Sequence, residues 1–137
     1  MKHLIMKKHI SLILLTFFSI AVLKAQEKSK DTLFFKLDNK YVYESKFVSK
    51  EYLLKDRNKD EVFFFKGNET LKNVKPKEIL CLKKFIRSSQ FYDKTRKQKL
   101  NNYKLIIFFR DYVVFLVKKT KNETKYIHVN PAVVIND

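Results

Sequence analysis

The sequence predicts an α+β domain: an antiparallel sheet of about five to six strands, with one or two helices inserted in the middle of the chain. Three observations carry this reading. Apolar and polar residues alternate in short runs between residues 32 and 66, which is the two-residue period of a half-buried strand. Between 76 and 89 the apolar spacing changes to a helical one. From 112 onwards β-branched and aromatic residues return. Strands, then helices, then strands is the order of an α+β domain.

The chain opens on a segment that lies outside this pattern. Lys2, Lys7 and Lys8 precede an apolar run of 14 residues, Ile10–Leu23, interrupted only by Ser11, Thr16 and Ser19. Ala25 then supplies a small residue ahead of Gln26. This is the layout of a secretory signal peptide. A spanning helix needs ~20 apolar residues, so the run is too short to cross a membrane comfortably. No cysteine follows it, which removes a lipoprotein anchor. Residues 1–25 are expected to be a cleaved signal and residues 26–137 a single small domain, periplasmic or extracellular.

The first strand is Thr32–Leu37, with Leu33, Phe35 and Leu37 on one side. Asp38-Asn39 is a turn signal. Lys40–Val48 alternates again, with Tyr41, Tyr43, Ser45 and Phe47 on one side, and the two runs read as a hairpin. Tyr52–Leu54 is a short third strand. Glu61–Lys66 turns Phe63 and Phe65 one way and Val62 and Phe64 the other. A strand apolar on both faces is central or covered on both sides. Gly67, the only glycine, reads with Asn68 as a turn needing positive φ.

Pro76 suits the first turn of a helix, where its missing N–H costs nothing. Ile79, Cys81, Leu82, Phe85 and Ile86 then fill one side, with Lys77, Lys83, Lys84 and Arg87 on the other. The reading is an amphipathic helix over 76–89. Leu100, Tyr103 and Ile107 have helical spacing, and Arg110-Asp111 is a poor two-residue hairpin turn. A helix over 97–109 is preferred, with a strand as the alternative. Tyr112–Lys118 is a strand and Lys125–Val129 pairs back on it. Pro131 places Ala132–Ile135 at an edge or after a bulge.

The stretches "DTLFFKLD", "KPKEILCLKKFIRSSQFYDK" and "YVVFLVKK" resemble small exported proteins of Bacteroidetes (flavobacterial) type, over most of residues 31–130. The resemblance implies a Gram-negative source and export. It implies no activity, ligand or catalytic residue.

The formal net charge is +16. Four of the 30 lysines and arginines and none of the 14 acids lie in residues 1–25, which leaves +12 on residues 26–137. Most of that charge is lysine, in a composition of the kind that AT-rich codons give. Such a charge attracts anions without naming one. The densest basic stretch is "KKFIRSSQFYDKTRKQK", residues 83–99. The candidate anion-binding residues are Lys77, Lys84 and Arg87 from the helix, joined by Arg96 and Lys97 from the connector. Phe91 or Tyr92 could stack on a base or insert at a lipid interface.

Chemistry beyond binding finds little support. Cys81 is the only cysteine, so no internal disulfide forms. Its place on the apolar side predicts burial. His128 is the only histidine beyond the signal, and one histidine cannot build a His-rich metal site. A triad is spatial, so a small hydrolase around His128 stays as the least favoured alternative. A lone Gly67 supplies neither a Walker nor a dinucleotide loop. No catalytic residue, cofactor or metal is expected. The expected function is that of an exported, non-enzymatic domain that binds an envelope protein or an anionic surface. The alternative is direct binding of a polyanion (lipid phosphate, nucleic acid or acidic glycan) through the 77–99 surface.

Overall fold

The computed structural model describes residues 30–56, 61–94 and 99–135. In chain order the strands are β1 (Thr32–Lys36), β2 (Val42–Glu44), β3 (Glu51–Leu54) and β4 (Glu61–Leu71). Helix α1 (Leu82–Ile86) and a 3₁₀ turn (Ser89–Phe91) follow, then the short β5 (Tyr92–Asp93) and β6 (Lys99–Leu100). Helix α2 (Asn102–Arg110) precedes β7 (Val113–Lys119) and β8 (Thr124–Ile135). Six strands form one sheet in the order β1-β7-β8-β4-β3-β2, and β5 pairs with β6 separately. The α+β expectation holds in this coarse form.

The sheet is mixed rather than antiparallel, because β1 runs parallel to β7. Leu33 lies opposite Val114 and Phe35 opposite Leu116. Alternation puts the same residues on the same face in either strand direction, so the local pattern does not encode parallel pairing. The expected hairpin between residues 32 and 48 does not form, and β1 and β2 occupy opposite ends of the sheet. Asp38 is the cause. Its Oδ1 accepts the N–H groups of Lys40 and Tyr41, and Asn39 takes φ 59°. That Asx turn leads the chain away from β1. The hairpin that does form is β2–β3, with Val42 opposite Leu54.

β4 behaves as its two apolar faces require. It sits between β8 and β3, with Phe63, Phe65 and Phe64 all buried. Gly67 is not a turn and has no positive φ. The strand continues through it to Leu71, with a bulge between Gly67 and Thr70. Here glycine serves close approach: an added Cβ would lie 3.2 Å from Lys50 Cβ and 3.2 Å from the Tyr52 ring. The Gly67 N–H donates to the Lys50 carbonyl at 2.7 Å. β8 runs unbroken through Pro131, which lies opposite Phe65. Pairing with β7 ends at Val129, so the last part of β8 is bonded on the β4 side only, as expected of a strand carrying proline.

The expected helix over 76–89 is reduced to α1. Leu80 is drawn into the sheet instead: its N–H donates to Phe34 O at 2.8 Å, and Lys36 N–H donates to Leu80 O at 3.0 Å. Leu80 therefore forms a single parallel bridge to Phe35 at the outer edge of β1. The apolar positions that the helical spacing gathers on one side are split between the two faces of the sheet. Val74 and Ile79 pack on the outer cluster of Phe115, Val117 and Tyr126, while Leu82 and Ile86 enter the main core. Cys81 becomes the exposed residue preceding α1, a correction of its expected burial. The second helix is as expected, displaced to Asn102–Arg110, with the Asn101 side chain accepting the Lys104 N–H at 3.0 Å.

Both helices lie on one face of the sheet. Phe35, Phe63, Phe65, Leu116 and Val129 meet Ile86, Phe91, Leu105 and Phe109 there. All of this core lies between residues 33 and 133.

Candidate functional site

The candidate anion-binding residues fall on different kinds of backbone. Lys77 lies at a bend ahead of Leu80 and outside α1, so helical spacing does not relate it to the others. Lys84 lies on α1 and Arg87 directly follows it. Lys77, Lys83, Lys84 and Arg87 are all exposed. Arg96 and Lys97 lie outside the described residues. Of the two aromatic candidates, Phe91 is buried in the core, with its ring 5.4 Å from Phe108, and cannot reach a ligand. It closes the end of the helical segment instead.

Arg87 is not a free cation. Its Nε lies 3.4 Å from Asp56 Oδ2, and the Tyr92 hydroxyl donates to the same oxygen at 3.3 Å. The Arg87 side chain is 53 % exposed, so the pair is worth ~0–1 kcal/mol at most. Its effect is local: Asp56 neutralises the arginine that would otherwise neighbour Lys84. Asp56 stands at the end of β3 and Arg87 after α1, so only the tertiary fold brings them together.

Tyr41 completes this cluster. Its hydroxyl is buried and meets no partner at hydrogen-bond geometry among the described residues, and the nearby Asp56 carboxylate acts on it both by its charge and as a long hydrogen-bonding contact. Burial, then Asp56 and Tyr92, push the Tyr41 phenol well above its ordinary value, with Arg87 opposing. Burial and Asp56 also raise Tyr92. An acid whose pKa is raised on folding leaves stability intact below its unfolded value. That stability is lost as pH rises from there towards the folded value. The window here opens near pH 10, the unfolded tyrosine range. Tyr41→Phe is expected to leave stability at pH 7 nearly unchanged and to reduce its loss above pH 10. Urea midpoints measured across pH 7–11 check this, and parallel declines in both proteins would refute it.

His128 lies on the opposite face of the sheet, away from the helices. Its ring is 5.4 Å from Phe115, and its Nδ1 is 4.0 Å from Glu69 Oε1. The β4 bulge makes this contact. Val129 pairs with Gly67 and Ile127 with Thr70, which leaves Asn68 and Glu69 together opposite His128. Among the described residues no serine, threonine or cysteine hydrogen-bonds to His128. No group of three or more metal-ligating side chains occurs among them either.

Sequence reading missed one exposed feature. Lys40–Val48 reads as a strand with Phe47 in phase with Tyr41 and Tyr43, but β2 ends at Glu44. Phe47 is 97 % exposed at the tip of the β2–β3 hairpin. The signal lay in "SKFVSK", where a serine can cap a turn and lysines flank the apolar pair.

No helix among the described residues is long and apolar enough to cross a membrane. Compared with protein-family models, curated proteins and solved structures, the chain matches none, so its functional reading rests on its own residues.

Proposed function

We propose that this chain is an exported, non-enzymatic binding domain whose partner is an anionic component of the cell envelope. The observation that carries this is the state of the lysines. Every described lysine except Lys125 is exposed. Among the described residues only Lys72 and Lys125 form lysine ion pairs, and both use Glu123. Exposed lysines with no ion pair among the described residues are available to phosphate, carboxylate or sulfate groups. In the 77–99 stretch the exposed lysines among the described residues are Lys77, Lys83, Lys84, Lys94 and Lys99.

Retention of residues 26–137 on immobilised heparin tests the reading. Retention should shorten steeply as salt rises, because each neutralised anion releases a counterion. The triple variant Lys77→Gln/Lys83→Gln/Lys84→Gln should elute at lower salt. Elution of the unaltered chain in the void at low salt would overturn the proposal.

A further inference from the structure

The β2–β3 hairpin ends in a loop that is ordered and yet displays apolar side chains. Ser45 Oγ accepts the N–H groups of both Phe47 and Val48, each at 3.2 Å. Lys50 takes φ 59°, and its N–H donates to Glu44 Oε1 at 3.3 Å. The Lys50 carbonyl receives the Gly67 N–H from β4. The loop is thus held at both ends, and Phe47 is exposed by a fixed backbone. Phe47 is 97 % exposed and Val48 51 %. No other phenylalanine among the described residues is exposed, so this one stands apart from a chain that otherwise covers its phenylalanine rings.

Lys46 and Lys50 flank the apolar pair and both are exposed. Lysines around an exposed aromatic suit an anionic lipid interface. The ring enters the boundary between headgroups and acyl chains, while the ammonium groups stay among the headgroup phosphates. Glu44 does not oppose this, because its carboxylate is turned to the base of the loop by the Lys50 N–H. We propose that Lys46–Lys50 is the segment by which the domain inserts into an anionic membrane surface, with Phe47 the inserting side chain. This rests on the anionic-envelope reading and narrows it from polyanions in general to a lipid bilayer.

The chain has no tryptophan, so Phe47→Trp gives a single fluorescent reporter at the loop. Phe47 is almost fully exposed, so neither Phe47→Trp nor Phe47→Ser disturbs the core. Both would be tested in residues 26–137 with vesicles of phosphatidylglycerol and phosphatidylcholine, with pure phosphatidylcholine vesicles, and with soluble heparin. Expected results are a blue shift of the Phe47→Trp variant and quenching by bromine-labelled acyl chains, on the anionic vesicles only. Phe47→Ser should weaken anionic-vesicle binding about tenfold, as loss of a buried ring requires, and leave heparin retention unchanged. Vesicle binding with no change in the emission of the introduced tryptophan, or equal vesicle binding by Phe47→Ser, would overturn the insertion. So would a blue shift produced by an envelope protein and not by lipid. Heparin retention without vesicle binding would overturn insertion and leave the anionic-envelope reading standing. Binding to neither would remove both.

Discussion

Replacing Phe109 with alanine is expected to destabilise the domain by about 3–5 kcal/mol, the usual range for a fully buried phenylalanine. Phe109 has 0 % exposure and sits on α2 where all parts of the core meet. Its ring lies 5.2 Å from Phe65 of β4 and 5.9 Å from Phe35 of β1. It lies 6.0 Å from Phe85 of α1 and 6.4 Å from Phe91 of the 3₁₀ turn. These neighbours belong to four different elements, so collapse of any one of them cannot fill the space that the ring leaves. A domain of this size has about 5–15 kcal/mol in total, so the variant should be close to unfolding. Its urea midpoint should fall by more than about 1 M. Phe109→Leu keeps most of the volume and should cost much less. Phe47→Ala, in the exposed loop, should stay within about 0.5 kcal/mol of the unaltered chain. Equal midpoints for Phe109→Ala and Phe47→Ala would refute this account of the core.

The same contrast shows where the sequence is legible. Phe63, Phe64 and Phe65 announce their strand, because a run apolar on both faces has to be covered on both, and β4 lies inside the sheet. The α2 helix is legible because Arg110-Asp111 cannot close a tight hairpin. The parallel β1–β7 pair is not legible: residues 32–36 and 113–117 alternate in the same way whichever direction they run. The helix over 76–89 fails because spacing records which residues are apolar and not which surface they cover. Ile79 and Leu82 fit one helical side, yet they cover opposite faces of the sheet once Leu80 bonds to β1. The basic stretch fails in part for the same reason. Phase places Lys84 beside Arg87, but Asp56, 31 residues away from Arg87, takes that charge. Contacts across such a separation leave no local trace.

Asn102 carries the second large effect, and its variants separate charge from packing. It is 3 % exposed, the only buried polar or charged residue among those described. Its Nδ2 donates to the Glu61 carbonyl at 2.8 Å, tying the start of α2 to the start of β4. Its Oδ1 is buried without a hydrogen-bond partner among the described residues, and turning the amide over would set that oxygen against the carbonyl, so this orientation is the required one. Asn102→Ala removes one hydrogen bond and should cost about 1–3 kcal/mol. Asn102→Asp is nearly the same shape but replaces the donor with an acceptor and buries a charge. An uncompensated buried charge costs about 3–5 kcal/mol. The α2 N-terminus would return only ~0.3–1 kcal/mol by its dipole, so destabilisation wins. The introduced carboxyl should therefore hold its proton in the folded state, where the protonated form can donate to Glu61. An acid with a raised folded pKa loses stability as pH rises above its unfolded value, near 3.9 for aspartate. The gap between Asn102→Asp and the unaltered chain should be small near pH 4, widen as pH rises, and be largest at pH 7 and above. Paired urea titrations at the two pH values measure it. A gap that does not change with pH would show that the site is open to water and that Asn102 does not clamp α2 to β4.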